Sequence, residues 1–469
     1  MTQAVRHDAM RARNLALVLG EVSARRSLTR AALAEITGLT KTTVSKLVAD
    51  LIEAGLVVEA GAVRDGERGR PGVEVRISGS QVAAVGLEIN VDYLSVQVVD
   101  LARTVRLRRT QAVDNRSAQP VDVIARLRDL TMQAVDEAVD SGLRVVGGVL
   151  AVPGPVDLAS GTVHNAPNLG WRDVPLSSLL RLPFPVRVEN EANLAALGEL
   201  WFGSGLPDFL HVSGEIGIGA GLVVRGRLFR GAHGFAGELG HVVVAPDGPL
   251  CRCGGRGCLE QYAGQDALLN AARPDGAHPD SAHPDASQLH AARLGTGHPN
   301  GARHDTARPD ASQPDASQPD TAQPEAARPD TARTDAFQPA GADPDTARSA
   351  QAARESAGRG IPWVLSRLEA GDERALAACE RAGWALGVAL CSAVNLVDPD
   401  AIVLGGIYAP LFPWIGDVVA TTLTARLGQM RDTVPPVVVS RLGTEAAALG
   451  AAGQVIEQVI ADPAALLHT

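Results

Sequence analysis

A proline-rich repeat in the second half of the chain limits where a folded core can form. From Ala271 to Arg354 the sequence repeats near-pentapeptides, as in "ARPDASQPDASQPDTAQPEAARPD". The large apolar residues in this segment are only Leu289, Leu294 and Phe337. Frequent proline removes backbone donors that helices and sheets need, and so little apolar surface cannot offset the entropy of ordering. The repeat is therefore predicted to be a disordered insertion; a proline-rich ligand for a partner is the alternative.

The sequence outside the insertion divides into two regions that differ in their predicted secondary structure. Residues 1–77 carry helical patterns and end in a Gly/Arg-rich, hairpin-like stretch. Residues 82–270 and 355–469 alternate short apolar runs, such as "VVGGVLAV" and "AIVLGG", with helical patterns, which is typical of an α/β fold. We therefore predict a small N-terminal domain and one α/β domain that the insertion interrupts.

Composition restricts the class of protein. No run of about 18 apolar residues exists and the N-terminus lacks an apolar signal region, so a cytoplasmic protein without a membrane span is expected. The net charge of −10 is unevenly distributed, because residues 1–77 hold 12 Arg and Lys against 9 Asp and Glu. This asymmetry is a weak indication that the N-terminal region has an anionic partner.

The N-terminal region has the pattern of a helix–turn–helix. Thr29 is predicted to cap a short helix that buries Leu33 and Ile36, and Gly38 to form a tight turn before Thr40 caps a second helix. Apolar residues of the second helix recur at i, i+3, i+4 and i+7, which predicts one buried face: Val44, Leu47, Val48 and Leu51. An ordinary helical hairpin with a solvated outer face is the alternative to a winged helix.

The opposite face of the second helix carries small polar residues and the only two lysines of the chain. Such a face suits the major groove of double-stranded DNA, where hydroxyl groups bond bases or phosphates and lysine neutralises phosphate or reads guanine. Codon bias against lysine could also leave two clustered by chance. The next stretch, "GERGRPG", predicts a wing with two arginines. The predicted DNA contacts are Lys41, Thr42, Thr43, Ser45, Lys46, Arg68 and Arg70.

The stretch "GELGHVVVAPDGPLCRCGGRGCLE" brings together one imidazole and three thiols. This donor set is common in structural zinc sites, and four protein ligands leave no open position for catalysis. Three free thiols on a loop are the alternative. The predicted ligands of a structural Zn²⁺ are His241, Cys251, Cys253 and Cys258, whereas Cys379 and Cys391 are predicted to lie in the core.

Three motifs in order resemble the ROK family of repressors and sugar kinases: "VENEANLAALGE", "EIGIGAGLVVRGRLFRGAHGFAGELGH" and the cysteine cluster ending in "CLE". The resemblance covers residues 82–460 apart from the insertion. It implies an actin-like (hexokinase/ribonuclease H-like), two-lobed ATPase-type fold with a sugar between the lobes, and repressor members carry an N-terminal winged helix. By the same resemblance, the sugar hydroxyls are bonded by Asn190, Glu191, Glu238, His241 and Glu260.

The phosphate-binding loops depart from those of the family's kinases. The kinases place Asp at the position of Glu191, as the base, and carry Asp-x-Gly-Gly-Thr and Gly-Thr-Gly loops. This chain has "EINVD" at residues 88–92 and Glu215-Ile216-Gly217 at the second loop. Glycines that let backbone N–H groups approach phosphate are lost, and Asp92 adds a charge that would repel ATP. The sequence therefore predicts that ATP is neither bound well nor used.

These observations lead to the hypothesis of a transcriptional repressor of carbohydrate metabolism genes. Its predicted partners are a double-stranded DNA operator, a sugar or sugar-phosphate effector and further copies of itself, as a homodimer or homotetramer. A ROK sugar kinase with an appended DNA-binding domain is one alternative. A DNA-binding protein whose ROK domain only dimerises is another, and a glycosidase that uses the paired carboxylates is a remote third.

Overall fold

The computed structural model describes residues 2–63, 72–116, 118–273, 360–429 and 431–467. The predicted wing arginines Arg68 and Arg70, and the predicted insertion from residue 274 onward, lie outside these ranges. The folded chain continues slightly beyond the predicted start of the insertion, because Ala272 is fully buried. No described helix is long and apolar enough to cross a bilayer.

The N-terminal region forms a winged helix of three helices and a three-stranded sheet ordered β1-β3-β2. The predicted caps are confirmed: Thr29 Oγ1 accepts from Ala32 N, and Thr40 Oγ1 accepts from Thr43 N, both at 3.2 Å. Gly38 makes the predicted turn with φ of 70°. The elements are α1 (Thr2–Arg25), β1 (Ser27–Thr29), α2 (Arg30–Thr37), α3 (Lys41–Glu53), β2 (Val57–Val63) and β3 (Gly72–Ile77).

The predicted buried face of α3 is confirmed, since Val44, Leu47, Val48 and Leu51 are all buried. The prediction for α2 is correct for Leu33 and wrong for Ile36, whose side chain is 39% exposed. In this short helix Ala34, the neighbour of Leu33, takes the second buried position. The hydrophobic periodicity was therefore reliable over the longer helix and unreliable over a helix of two turns.

Two five-stranded mixed sheets with the same strand pattern form the α/β region. In each sheet, three consecutive strands pair antiparallel, β4-β5-β6 in one and β12-β13-β14 in the other. Two later strands are then added in parallel beside the first of these three. The resulting spatial orders are β11-β7-β4-β5-β6 and β14-β13-β12-β15-β16. This repeat is the two-lobed, actin-like architecture that the resemblance implied. The first sheet comprises β4 (Val82–Ile89), β5 (Tyr93–Asp100), β6 (Val105–Ala112), β7 (Arg144–Val152) and β11 (Val186–Asn190). The second comprises β12 (Phe209–Gly214), β13 (Ile218–Val224), β14 (Arg227–Phe229), β15 (Ala401–Gly406) and β16 (Val437–Val439).

Helices cover both sheets, and a small sheet of β8 (Val156–Asp157), β9 (Thr162–Ala166) and β10 (Trp171–Pro175) flanks the first. The helices of the α/β region are α4 (Pro120–Asp140), α5 (Leu176–Leu179), α6 (Glu191–Phe202), α7 (Glu260–Ala263), α8 (Gln265–Ala271), α9 (Ile361–Glu369), α10 (Glu373–Val397), α11 (Tyr408–Leu427) and α12 (Ala446–Ala461). Cys379 and Cys391 are buried in α10, as predicted.

The C-terminal helix α12 lies unusually close to α6 and to strand β4. A methyl group added at Gly450 would lie 1.8 Å from the carbonyl oxygen of Leu194, and one at Gly198 would lie 2.1 Å from that of Ala446. On the sheet, a methyl group at Gly86 would lie 1.8 Å from the carbonyl oxygen of Ala448. Only glycine permits such approach, so three glycines set the position of α12.

The winged helix and the first lobe share one apolar cluster. It contains Leu15, Val18 and Leu19 of α1 together with Ile456 and Val459 of α12. Helix α1 also contacts the 3-10 turn that follows α12, at Pro463–Leu466. A path of packed side chains therefore runs from α3, through α1 and α12, to α6, which borders the cleft described next.

Candidate functional site

A cleft of about 350 Å³ opens where the carboxyl ends of several strands meet. Its lining includes residues that directly follow β4, β7 and β12, and the end of β11. Ligands of α/β proteins commonly bind outside the carboxyl ends of the strands. All five residues predicted to hold the sugar line this one cleft: Asn190, Glu191, Glu238, His241 and Glu260.

Asn190 has a structural role in addition to any ligand contact. Its Oδ1 accepts from the backbone N–H of Asn193 at 3.1 Å and so caps α6, while its Nδ2 donates to the carbonyl of Gly154 at 3.0 Å. These two bonds leave one N–H and one lone pair of the amide for a ligand. The side chain is therefore held in a fixed orientation toward the cleft.

Glu191 is the first residue of α6, immediately after this cap. Burial, together with the negative charge of Glu238, raises the pKa of the Glu191 carboxyl to about 7. A carboxyl with this pKa is present in both protonation states near neutrality. It can therefore accept from a sugar hydroxyl in one state and donate to it in the other.

Glu260 approaches the cleft from the opposite side. Its Oε2 accepts from the backbone N–H of Ile218 at 3.4 Å, and burial raises its pKa. The approach depends on Gly217, because a methyl group there would lie 2.6 Å from the same carboxylate oxygen. Glu238 is exposed at the rim of the cleft.

An ion pair that was not predicted holds the rim in place. Arg230 donates to Glu189 Oε2 from Nε at 2.8 Å and from Nη2 at 2.7 Å. Oε1 of Glu189 in turn accepts from Asn190 N at 3.0 Å and from the Asn193 side chain at 3.1 Å. The pair fixes the start of the loop carrying Glu238 against the strand carrying Asn190. The available sequence signals were weak: Arg230 and Glu189 lie inside two different family motifs, and nothing in either motif pairs one with the other.

Two further carboxyls, also not predicted as site residues, lie beyond Glu191. Glu88 and Glu215 share a recess with Glu191, and we call these three residues the acidic floor. Burial and the neighbouring Glu191 raise the pKa of Glu88 to about 8, partly offset by a hydrogen bond from Tyr93 Oη at 2.7 Å. Burial, Glu191 and Glu88 raise the pKa of Glu215 well above its usual range.

The structure corrects the expectation that the charge of Asp92 repels ATP. Asp92 does not present a free negative charge, because Arg116 pairs with it at 2.6 Å. Among the described residues, Glu88 and Glu215 have no ion-pair partner at this end of the cleft, although Asn90 forms a hydrogen bond with Glu215. Backbone donors of both loops are also occupied, which the sequence did not indicate.

Two backbone N–H groups of the turn after β4 form hydrogen bonds within the protein. Asn90 N donates to the carbonyl of Tyr93 at 3.0 Å, and Asp92 N donates to Asn90 Oδ1 at 3.2 Å. At the second loop, Glu215 N donates to the carbonyl of Gly217 at 2.8 Å. Phosphate binding by a loop requires N–H groups aimed at the anion. These three groups are directed into the protein instead.

The predicted zinc ligands converge at the far side of the cleft. The four ligand atoms of His241, Cys251, Cys253 and Cys258 all lie within 4.8 Å of one another. The sulfurs of Cys253 and Cys258 are 3.7 Å apart. Tetrahedral zinc with bonds of about 2.3 Å places two sulfurs about 3.8 Å apart. The donor set and spacing therefore fit a metal ion.

Local backbone structure explains how so short a loop gathers these side chains. Cys251 N donates to the carbonyl of Gly255 at 2.8 Å, and Gly255 N donates to Cys253 Sγ at 3.4 Å. His241 turns Nδ1 toward Cys251 Sγ, 3.9 Å away. Gly257 allows the loop to close, since a methyl group there would lie 1.5 Å from the carbonyl oxygen of Ala245.

The outer face of α3 is free to meet a partner. Lys41, Thr42, Ser45 and Lys46 are exposed, and within the described part of the chain neither lysine forms an ion pair. Thr43 is partly buried, and its hydroxyl shares a hydrogen bond with that of Thr40 at 2.8 Å. Thr43 therefore contributes to the helix cap, and the other four residues form the accessible polar surface.

Comparison with known proteins agrees with both parts of the structure. The chain matches the ROK family over residues 84–294 and 347–458, and the MarR family over residues 15–69. It is 35% identical to the xylose repressor of Caldicellulosiruptor bescii over 272 residues, which is 57% of this chain and 67% of the relative. It is 40% identical to the glucokinase of Streptomyces coelicolor over 154 residues, 30% of this chain and 49% of the relative.

Solved structures show the same fold. A ROK family transcriptional regulator, described as a homologue of the Escherichia coli MLC protein, aligns over 98% of this chain and 100% of its own, with a TM-score of 0.66 at 20% identity. The ROK family glucokinase of Streptomyces griseus, solved with glucose and AMPPNP, aligns over 79% of this chain and 98% of its own, with a TM-score of 0.55 at 25% identity. The regulator's alignment extends over nearly the whole chain, whereas that of the kinase leaves about a fifth uncovered.

Proposed function

The chain belongs to the ROK family, and from that premise we propose that it is a DNA-binding transcriptional repressor that responds to a sugar. The observation that carries the proposal is the combination, in one chain, of an exposed polar recognition helix with a cleft lined by carboxylates and amides. The xylose repressor that resembles this chain supports the repressor assignment. Genes of carbohydrate metabolism are the proposed targets.

The sugar is proposed to bind in the cleft through Asn190, Glu191, Glu238, His241 and Glu260. Carboxylates and amides suit vicinal hydroxyls because each offers two polar atoms in one plane. Helix α6 begins at Glu191 and packs closely on α12, which contacts α1 of the winged helix. A sugar that favours one arrangement of the lobes can thereby shift the winged helix between two states.

Zinc is the proposed metal of the His241 cluster, with a structural role. It would hold His241 and the start of α7, which carries Glu260, on one rigid loop. Lys41, Thr42, Thr43, Ser45 and Lys46 are the proposed DNA contacts on α3, with Arg68 and Arg70 of the wing. A homodimer or homotetramer would match an operator with two half-sites about one helical turn, roughly 10 bp, apart or a multiple of it.

Alanine variants of the two lysines test DNA recognition. Lys41→Ala should weaken binding to operator and random DNA alike and reduce the salt slope by about one unit, because Lys41 at the helix entrance is placed for phosphate. Lys46→Ala should cost about 1–3 kcal/mol and relax preference at one base position, because Lys46 faces base edges. Binding is measured by fluorescence anisotropy on both DNAs across a salt series, with and without D-xylose.

Arg126→Ala is the matched control, because Arg126 is an exposed cation on α4, in the α/β region. It removes the same charge and should leave operator binding unchanged. If both lysine variants bind the operator as the parent does, α3 is not the recognition helix. If no DNA sequence is preferred over random DNA by the parent, the repressor proposal itself is wrong.

We propose in addition that the cleft does not transfer phosphate from ATP. No hexose should be phosphorylated at a measurable rate, and Glu191→Asp should not restore activity, because the phosphate-loop donors remain directed into the protein. A coupled assay with ATP and a panel of hexoses provides the measurement, and sugar binding to the same preparation shows that the cleft is intact. Turnover of about 1 s⁻¹ or faster, within the usual range of enzymes, would favour a sugar kinase with an appended DNA-binding domain.

A further inference from the structure

We propose that Cys253 is a site of oxidation by hydrogen peroxide, with Cys258 as its disulfide partner, and that this modification ends metal binding and sugar sensing together. The proposal rests on the proposed function, because it takes the cysteine cluster to hold zinc and the cleft to hold the sugar. It adds a redox input to a protein whose other proposed ligands are a sugar and DNA.

Cys253 is the one cysteine of the chain that is open to solvent. All five cysteines are described by the structure; four are buried and Cys253 is exposed. Cys253 also lines the sugar cleft, so a small oxidant that enters the cleft reaches this residue. Peroxide oxidises cysteines that are accessible and present as thiolates, and a cysteine that binds zinc is a thiolate. Cys253 therefore meets both conditions for oxidation.

Cys258 is placed to complete a disulfide with Cys253. Their sulfurs lie 3.7 Å apart, so they have to approach by roughly 1.7 Å to reach the length of a disulfide bond. A methyl group at Gly254 would meet nothing within 4 Å, whereas one at Gly257 would lie 1.5 Å from the carbonyl oxygen of Ala245. The loop thus has open space next to Cys253 and is closely packed next to Cys258. We expect Cys253 to be the residue that moves.

The reaction consumes one hydrogen peroxide for two sulfurs. The thiolate of Cys253 attacks one oxygen of the peroxide, the O–O bond breaks, and a hydroxide leaves. The thiolate of Cys258 then attacks the sulfur of the resulting sulfenic acid, an S–S bond forms, and the S–O bond breaks to release a second hydroxide. The two sulfurs lose two electrons, which the peroxide gains, and two protons from the solvent convert both hydroxides to water.

The disulfide removes two of the four proposed metal ligands. Zinc binding requires deprotonated cysteine, and the sulfurs of a disulfide carry no thiolate charge. His241 and Cys251 would remain, and two protein ligands do not close a tetrahedral site. His241 also lines the cleft, and Glu260 follows Cys258 by two positions. Loss of the metal therefore releases two residues that are proposed to hold the sugar.

Peroxide treatment of the full-length, zinc-loaded protein tests the proposal. Zinc release is followed with a chromogenic chelator, disulfides are mapped by mass spectrometry of peptides, and affinity is measured by calorimetry for D-xylose, D-glucose and D-mannose. One zinc should leave for each disulfide between Cys253 and Cys258. The affinity for the sugar that binds most tightly should fall by at least about tenfold. Dithiothreitol followed by zinc should restore both properties, because a disulfide is reducible.

Two variants separate Cys253 from the other thiols. Cys253→His removes the exposed thiol and keeps four donors, since two cysteines and two histidines also form a common zinc site. The fraction of its bound zinc that peroxide releases in a given time should be at least about tenfold smaller than in the parent. Cys391→Ala is the control, because it removes a buried thiol outside the cluster and should release zinc as the parent does. If Cys253→His does not hold zinc, the peptide map of the parent decides.

Three results would overturn the inference and leave the metal assignment intact. These are zinc that stays bound through the treatment, a disulfide that joins other cysteines, and oxidised, zinc-free protein that binds sugar as before. Purified parent protein without zinc would contradict the metal assignment, and this inference with it. Untreated parent that binds none of the sugars would contradict the sugar-sensing proposal, while zinc release and the peptide map would still decide the site of oxidation.

Discussion

Cys253→Ser is expected to remove zinc from the protein, lower the free energy of unfolding by at least about 3 kcal/mol and weaken sugar binding by at least about tenfold. The parent should carry one zinc per chain. Sugar binding is expected to depend on the metal because His241 is both a proposed ligand and a cleft residue, and Glu260 follows Cys258 by two positions. Metal content is measured by mass spectrometry, stability by urea denaturation and sugar affinity by calorimetry.

Cys391→Ala provides the control for the loss of a thiol. Cys391 is buried in α10 and is not one of the four clustered donors, so its variant should keep the full complement of zinc and the affinity of the parent for sugar. Well under one zinc per chain in untreated, folded parent protein would contradict the metal assignment. A Cys253→Ser variant that loses zinc and binds sugar as before would show that the loop is ordered without it.

Gly450→Ala is expected to destabilise the protein by about 3 kcal/mol or more. The new methyl group would lie 1.8 Å from the carbonyl oxygen of Leu194 and 2.7 Å from the backbone nitrogen of Gly198, so α12 would have to move away from α6. Overpacking against backbone cannot be relieved by turning a side chain. The measurement is the free energy of unfolding from urea denaturation, with D-xylose binding as a second readout.

Gly20→Ala makes the same substitution in a helix where nothing lies within 4 Å of the new methyl group. It should stabilise the protein by about 0.5–1 kcal/mol, because alanine favours a helix over glycine. The two variants are thus expected to have opposite signs. Equal effects would show that the close contact of α12 with α6 does not limit stability.

Features determined by neighbouring residues could be predicted from the sequence. The caps at Thr29 and Thr40 and the turn at Gly38 follow from local hydrogen bonds and from backbone freedom. The buried face of α3 follows from helical periodicity. The four candidate metal ligands lie within one stretch of the chain, from His241 to Cys258, so their clustering could be predicted from their chemical type and spacing.

The acidic floor could not be predicted, because chain folding brings its members together from three distant elements. Glu88 is the next-to-last residue of β4, Glu191 begins α6 and Glu215 follows β12. The same reason explains the error about Asp92, whose charge is compensated by Arg116 from beyond the next two strands. Likewise, nothing local shows that Arg230 reaches back to Glu189. Ion pairs between distant segments depend on the tertiary fold.

The apolar cluster shared by α1 and α12 has a consequence for engineering hybrid regulators. Residue 77 is a natural junction for joining domains along the chain. A hybrid made there would nevertheless separate side chains that pack together, since Leu15 and Val18 of α1 belong to the same cluster as Ile456 and Val459 of α12. Exchanging only the exposed residues of α3 leaves that cluster intact, whereas Val44, Leu47, Val48 and Leu51 of its buried face belong to the cluster and have to be kept. Grafting a complete foreign winged helix would require α1 and α12 to be exchanged together, because their side chains pack against each other.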